Sequence, residues 1–145
     1  MSSAELSGLV IRQVNSSDTD SLLSFWAQAG ENHSRPLDSA QLIEALLLRD
    51  AESLFIADLN GRIVGTVIAG WDGWRAHLYR LAVAPDLRGC GIARQLLSRA
   101  EERLRTLGAV RFEAMVWSDN DTGSATWFAL GYQPQSDWVR WIKPS

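Results

Sequence analysis

The chain has 145 residues, of which 46% are hydrophobic, and its 14 Lys and Arg against 17 Asp and Glu give a net charge of -3. This length and composition suit one domain with a buried core, spanning residues 1–145, and exclude a disordered chain. The charge balance argues against a nucleic-acid partner, because nucleic acid is held mainly by basic residues.

Targeting and metal-binding signals are also missing from the sequence. No apolar run approaches the roughly 20 residues that span a bilayer, and no basic segment followed by an apolar run opens the chain. We therefore expect neither a membrane partner nor a signal peptide. The single cysteine, Cys90, excludes an internal disulfide and fits a reducing, cytoplasmic location. The histidines His33 and His77 lie far apart without a Cys/His cluster, so we expect no metal.

The first third of the chain predicts one strand and two helices. Residues 9–14 have the composition of a strand. Ser17 or Asp18 is predicted to cap a helix that ends in the segment 30–36, and Asp38 is predicted to cap a second helix. The first helix carries the apolar residues Leu22, Leu23, Phe25 and Trp26, and in the second helix Leu42, Ile43, Leu46 and Leu47 fall on one face.

The middle of the chain predicts an antiparallel meander of three strands, over residues 54–58, 63–69 and 78–83. The Asn60-Gly61 pair separates the first two strands, and both of these residue types tolerate positive φ, so the pair indicates a tight hairpin. Residues 71–75 are predicted to form the loop before the third strand.

A Gly-rich turn over residues 88–93 joins the meander to a helix predicted over residues 92–107. The first N–H groups of a helix lack intrahelical partners and lie at the positive end of its dipole. Gly89 and Gly91 have no side chains to keep a phosphate from the backbone, and Arg88 can add a charge-assisted bond. The turn therefore predicts a site for an anion, and we expect a pyrophosphate-containing ligand.

The last third predicts a strand, a short helix and a final strand. Residues 110–116 place apolar side chains on one face of a strand. Asp119 or Asn120 is predicted to cap a helix that Gly131 ends, and the pattern of residues 138–142 predicts a last strand. The elements together indicate one α/β (α+β) domain with a mixed sheet.

Two common phosphate-binding motifs do not fit this turn. A P-loop needs Gly-x-x-x-x-Gly-Lys-Ser/Thr, and no such string occurs. A dinucleotide-binding fold needs Gly-x-Gly-x-x-Gly near its first strand, whereas Gly89-x-Gly91 is incomplete and lies past the middle of the chain.

Two other signatures do fit. Arg88, Gly91 and Ala93 match Gln/Arg-x-x-Gly-x-Gly/Ala in register, and Asn120 followed by Gly131-Tyr132 matches an asparagine at a helix start with a Gly-aromatic ending. On these residues the chain resembles the GNAT superfamily of N-acetyltransferases over about residues 10–132, in the small bacterial branch that includes ribosomal-protein alanine acetyltransferases. The resemblance implies a mixed, mostly antiparallel central sheet flanked by about four helices, with a splayed strand pair forming the wedge for acetyl-CoA.

The resemblance also implies which residues bind acetyl-CoA. Backbone groups of one strand end would bond the pantetheine arm, backbone N–H groups of the turn would hold the pyrophosphate, and Asn120 would reach the pantetheine amide side. Trp127 would lie on the same ligand. The backbone groups belong to Leu81, Ala82 and Val83 in the strand and to Arg88, Gly89, Cys90, Gly91, Ile92 and Ala93 in the turn.

The catalytic groups depart from the family pattern. Much of the family has a tyrosine acid seven residues after the asparagine, and Trp127 stands at that position here. An indole N–H donates a hydrogen bond but does not release a proton at useful pH. Where related enzymes often place a basic glutamate, this chain has Arg75, so His77 is the first substitute and Asp72 the second.

Several of these residues have structural interpretations as well. Asn120 suits a plain N-cap, Trp127 suits core packing, and His77 suits a structural or solvated position. Trp71 and Trp74 either staple their loop or stack on a substrate cation. With Trp26 they are our candidate substrate residues, and they favour a flat or aromatic amine.

The resemblance implies an acetyl-CoA-dependent N-acetyltransferase that modifies a primary amine of a small molecule or a protein N-terminus, by direct attack in a ternary complex. The alternative is a non-catalytic CoA-binding sensor or regulatory module, which Trp127 and Arg75 motivate. A homodimer is a further expectation, with Trp138 and Trp141 covering its seam.

Overall fold

The computed structural model describes residues 6–30, 32 and 35–145. His33, the first five residues and parts of the predicted helix break at 30–36 lie outside these described residues. The described strands form one sheet in chain order, and they are β1 (Leu9–Gln13), β2 (Leu54–Leu59), β3 (Arg62–Trp71), β4 (Ala76–Val83) and β5 (Phe112–Ala114). The helices are α1 (Thr19–Ala29), α2 (Ala40–Arg49), α3 (Ile92–Leu107) and α4 (Asp121–Ala129), with 3-10 turns at Ser16–Asp18 and Pro85–Leu87.

The predicted hairpin joins β2 and β3. Asn60 and Gly61 both have positive φ, 52° and 91°, which matches the right-handed twist of the flanking strands. The Asp58 carboxylate accepts the Gly61 N–H at 2.7 Å and fixes the turn. The first four strands pair antiparallel, and β5 pairs parallel to β4. The mixed, mostly antiparallel sheet is confirmed.

Helices cover both faces of the sheet. On one face α3 packs its apolar stripe against alternate sheet residues such as Phe55 and Ala57. On the other face α1 and α2 pack against the intervening residues, such as Leu54 and Ile56. The close approach of β3 to α3 requires Gly65, where a Cβ would lie 2.9 Å from side chains of Ile92 and Leu96.

Strand β4 is irregular in a way that shapes the sheet. Its pairing with β3 shifts between Thr66–Ala82 and Ile68–Tyr79, so one extra residue bulges from β4. Its pairing with β5 covers only Ala76 to Leu78. The ladder ends at Leu78 and Ala114, so residues 79–83 of β4 lie beyond it; we call the region beside them the wedge, which is the feature that the resemblance predicts.

Some predicted local features are wrong. Asp38 does not cap α2, because the Ser39 hydroxyl accepts the Leu42 N–H at 3.2 Å, while the Asp38 carboxylate binds Arg35 and Arg80. Asp18 occupies the N-cap position of α1, but its side chain makes no cap bond to that helix.

The last two predicted strands also differ from the structure. The strand predicted over 110–116 is reduced to three residues, and residues 138–142 are not a strand. Apolar patterning makes a strand only where a neighbouring strand supplies the ladder. The described tail instead leaves Trp138 and Trp141 exposed.

Candidate functional site

The Gly-rich turn lies between two buried anchors. Leu87 before it and Ile92 after it are 3% and 1% exposed, so the core fixes both ends. Gly89 and Gly91 have φ of 79° and 84°, a region that L side chains rarely adopt. A Cβ at either glycine would meet nothing within 4 Å, so the protein leaves the space above the turn open.

The electrostatics of the turn favour an anion. Gly91 is the N-cap of α3, no side chain caps this helix, and its first turn has no acidic residue. The sixteen-residue helix directs the positive end of its dipole at the turn. Exposed Arg88 adds a cation, while the Cys90 thiol lies 3.7 Å from the Arg88 carbonyl. The residues present therefore fit a pyrophosphate.

The predicted wedge lies beside the end of β4, which precedes this turn in the chain. Residues 79–83 of β4 face β3 on one side and lie beyond the β5 ladder on the other. Alternate N–H and C=O groups of a strand point to its two sides, so part of this backbone faces the wedge. Leu81, Ala82 and Val83 lie in this segment, and Leu81 follows the bulge directly.

A cleft of about 550 Å³ connects the turn with the start of α4. Gly30 and Asn32, after α1, form one wall, and Trp117 and Thr122 form part of the other. Arg88 and Asn120 both line it, so the structure brings together the two signatures that the sequence kept apart. The cleft is therefore the place where one ligand can reach both.

Asn120 is an N-cap in this structure. Its side-chain oxygen accepts the Gly123 N–H at 2.9 Å, and a Cβ at Gly123 would lie 2.4 Å from the Asn120 amide nitrogen. The cap orients Asn120 at the cleft, so the structural interpretation holds here and a ligand contact remains a prediction.

The two candidate bases differ in their surroundings. His77 is half exposed and stands opposite Glu113 in the β4–β5 ladder, with Nδ1 3.8 Å from Oε2. The Asp72 carboxylate accepts the backbone N–H groups of Arg75 and Trp74, at 2.7 and 2.8 Å, which lowers its pKa. A carboxylate with a lowered pKa is a weaker base, so His77 is the better candidate.

Both tyrosines have pKa values above the ordinary one. Burial and a 2.6 Å hydrogen bond to Glu101 raise the pKa of Tyr132 well above its ordinary value. Burial, together with the nearby charge of Asp50, also raises the pKa of Tyr79. Trp127 is half-buried at the core margin and contacts Tyr132 edge-to-face, with 4.8 Å between ring centroids.

The candidate substrate tryptophans do not share a surface. Trp26 is 3% exposed, and its indole N–H donates to the Thr66 hydroxyl at 2.9 Å, so the prediction that it contacts substrate is wrong. Trp71 packs against the core cluster on the α3 side of the sheet, opposite Trp26. Trp74 is 77% exposed, with the Arg75 guanidinium 5.1 Å from its ring centroid.

Sequence reasoning missed Arg80. It is the bulged residue of β4 with a φ of 56°, and its side chain is only 6% exposed. Its partners are on the α1–α2 segment and in α1, and the sequence contains no local signal that would have joined them.

Neither a helix suited to crossing a membrane nor a cluster of three or more metal-ligating side chains occurs among the residues that the structure describes.

Known proteins resemble this chain in sequence and fold. The model of the acetyltransferase (GNAT) family matches residues 19–132. An acetyltransferase of Pectobacterium atrosepticum is 36% identical over 124 residues, covering 85% of this chain and 86% of that protein. An aminoglycoside N-acetyltransferase solved in complex with CoA has a TM-score of 0.73 at 20% identity, covering 94% of this chain and 95% of that one. A ribosomal-protein-alanine N-acetyltransferase of Escherichia coli has a TM-score of 0.66 at 22% identity, covering 89% and 86%.

Proposed function

Since the chain belongs to the acetyltransferase (GNAT) family, we propose that it transfers the acetyl group of acetyl-CoA to a primary amine of a small molecule or of a protein N-terminus. The amine attacks the thioester directly in a ternary complex, so a C–N bond forms, the C–S bond breaks and the CoA thiolate leaves. The observation that carries this proposal is the position of Gly89 and Gly91 at the uncapped start of α3, beside the wedge.

Each part of the site then has one task. The N–H groups of residues 88–93 bind the pyrophosphate, with Arg88 as an added cation. The backbone of residues 81–83 bonds the pantetheine arm in the wedge, and a free N–H there stabilises the oxyanion. Asn120 holds the other side of the pantetheine, and Trp127 packs behind it.

The one proton transfer that we assign to a side chain is removal of the proton from the amine. His77 takes a proton from the substrate ammonium, directly or through a water, and the neutral amine then attacks; Glu113, across the ladder, orients the imidazole. No residue is assigned as an acid, because thiols ionise near pH 8.5 and a thiolate can leave without full protonation. Positioning of the two substrates therefore supplies most of the rate.

The amine enters the cleft from the side of Gly30 and Asn32. Trp74 and Trp71 stay as candidate contacts at the far end of β3, where an exposed indole offers a face to a cation. The exposed Trp138 and Trp141 stay as the candidate seam of a homodimer.

Calorimetric titration with CoA tests the cofactor site. Gly91→Glu should reduce CoA affinity at least tenfold, because it places a carboxylate at the pyrophosphate position. Gly108→Glu is the matched control, since Gly108 also has positive φ (110°) and open space, at the other end of α3. Equal CoA affinity in the wild type and both variants would contradict the site.

A thiol-release assay tests the reaction. The amines are a peptide with a free N-terminal alanine, spermidine and tyramine, each with saturating acetyl-CoA. We expect turnover of at least one. Saturable CoA binding without turnover of any amine would favour the sensor module instead.

A further inference from the structure

The bulged residue of β4 connects two parts of the molecule. Arg80 has a φ of 56°, which is uncommon for a residue with a side chain, and it lies immediately before Leu81 at the wedge. Its side chain nevertheless is 6% exposed. A left-handed residue at a bulge persists where surrounding contacts hold it, so the contacts of Arg80 show what the strain supports.

The guanidinium of Arg80 reaches the segment between α1 and α2. It forms an ion pair with Asp38 and donates to the Asn32 side-chain oxygen at 3.1 Å. A Cβ at Gly30 would lie 2.4 Å from a guanidinium nitrogen, so a side chain at position 30 would displace the guanidinium from its observed place. Three residues of one segment are thus fitted to one side chain.

The backbone of the same residue is held from α1. The Arg80 carbonyl accepts the Thr66 hydroxyl at 2.7 Å, and this hydroxyl accepts the Trp26 indole N–H at 2.9 Å. The guanidinium lies 4.9 Å from the centroid of the Trp26 ring. Trp26 therefore supports the Arg80 backbone through Thr66 and the Arg80 guanidinium through its ring. These contacts explain why Trp26 is buried.

The fixed segment is a wall of the cleft. Gly30 and Asn32 line it, opposite the start of α4. Arg80 thereby couples that wall to residues 81–83 of β4, where the proposed function places the pantetheine arm and the oxyanion. We propose that Arg80 is a positioning residue, which holds the amine-side wall at a fixed place relative to the β4 bulge. This inference rests on the proposed function and deepens it.

Two substitutions distinguish the role of the Arg80 backbone conformation from that of its side chain. Arg80→Gly keeps the positive φ and removes the guanidinium, and Arg80→Lys keeps a charge without the planar donor set. With the best amine of the panel above, Arg80→Gly should raise the amine KM at least tenfold and leave the CoA Kd within twofold. Arg80→Lys should raise the amine KM by an intermediate factor. Arg62→Met, which breaks the exposed Arg62–Asp86 pair, is the control and should change neither value.

An amine KM within twofold of wild type in Arg80→Gly overturns the proposal, and so does an equal loss of CoA affinity, which marks a merely structural role. If Arg80→Gly does not fold, Asn32→Ala and Asp38→Asn test the same contacts without touching β4. Each should raise the amine KM about threefold or more, and unchanged values in both overturn the proposal. If wild-type protein gives no heat with CoA, the proposed function fails first, whatever Arg80 does.

Hydrogen exchange gives a readout that needs no amine. The amides of Leu42 and Ile43 donate to Ser39, next to Asp38, and should exchange at least tenfold faster in Arg80→Gly, while those of α3 stay unchanged. Wild-type exchange at Leu42 and Ile43 would overturn the proposal.

Discussion

The Tyr132 hydroxyl donates a hydrogen bond of 2.6 Å to the Glu101 carboxylate, between the end of α4 and the middle of α3. Burial and this bond raise the pKa of the phenol, so Tyr132 keeps its proton through the neutral and moderately alkaline range. A tyrosine that holds its proton for a structural partner is unsuited to giving it to a leaving thiolate. We therefore expect Tyr132, although its ring contacts Trp127, to have a structural role.

Tyr132→Phe should therefore lower the free energy of unfolding and leave kcat unchanged. The loss should be about 1 to 2 kcal/mol, since a hydrogen bond to a charged acceptor contributes roughly that much. Because the folded pKa is raised, the stabilisation is present below the ordinary pKa of about 10 and is lost as pH rises above it. Urea unfolding and steady-state rates measure both effects. A hundredfold loss of kcat without a change in stability would make Tyr132 the acid after all.

His77 and Glu113 should contribute unequally to the rate. His77→Ala should lower kcat/KM by about a hundredfold, the usual order for a general base, and Glu113→Gln by a few-fold. The loss in His77→Ala should shrink as pH rises toward the pKa of the amine, because a neutral amine needs no base. Asp72→Asn is the control, since an amide oxygen can still accept the Arg75 and Trp74 N–H groups. A rate loss in Asp72→Asn as large as in His77→Ala would reverse the assignment.

The sequence located the elements that rest on local signals. The helix predicted over residues 92–107 has those same bounds, because apolar spacing and a flanking glycine at each end act within the segment. The Asn60-Gly61 turn is a local signal of the same kind. The turn before α3 and the hairpin could therefore be predicted from the sequence.

Features that depend on residues far apart in the sequence could not be predicted from it. The bulge at Arg80 depends on Asp38 and Trp26, which are far away in sequence. Ser39 caps α2 because Asp38 is engaged by two arginines, and no local pattern distinguishes these neighbours as caps. Trp26 was expected to contact substrate because the sequence does not show that Thr66, 40 residues away, accepts its indole N–H.

The network around Asp18 should make stability depend on acid pH. Its carboxylate binds Arg12 at 2.8 and 2.9 Å and accepts the Asn15 N–H at 2.9 Å, and the bonds to Arg12 are the main cause of its lowered pKa. A lowered folded pKa gives stability that is present above the unfolded pKa, near 4, and is lost as pH falls through the folded value.

Asp18→Asn should remove that pH dependence. We expect it to cost about 1 kcal/mol at pH 7, in line with a partly exposed ion pair with an added hydrogen bond, and to cost progressively less as pH falls below 4. Unfolding midpoints between pH 2 and 7 measure the difference. A constant gap between variant and wild type across this range would contradict the role of the ionised carboxylate.

Gly65 should affect CoA binding although it lies outside the turn. A Cβ there would lie 2.9 Å from side chains of Ile92 and Leu96, which are buried and cannot move aside. Ile92 is the first residue of α3, so Gly65→Ala must shift the helix start that presents the N–H groups. We expect an unfolding cost of about 1 to 3 kcal/mol, as for overpacked cores, and a several-fold weaker CoA Kd.

Gly70→Ala is the matched comparison on the same strand. Its added Cβ would lie 3.2 Å from the ring of Tyr79, a half-exposed side chain that can turn away, and the neighbouring Ala69 contacts Arg103 in the second half of α3, not the helix start. It should cost less stability than Gly65→Ala and leave the CoA Kd unchanged, because the start of α3 is not displaced. If both variants weakened CoA binding equally, general loosening of the sheet would explain the loss. If neither weakened it, the position of Ile92 would not set the geometry of the turn.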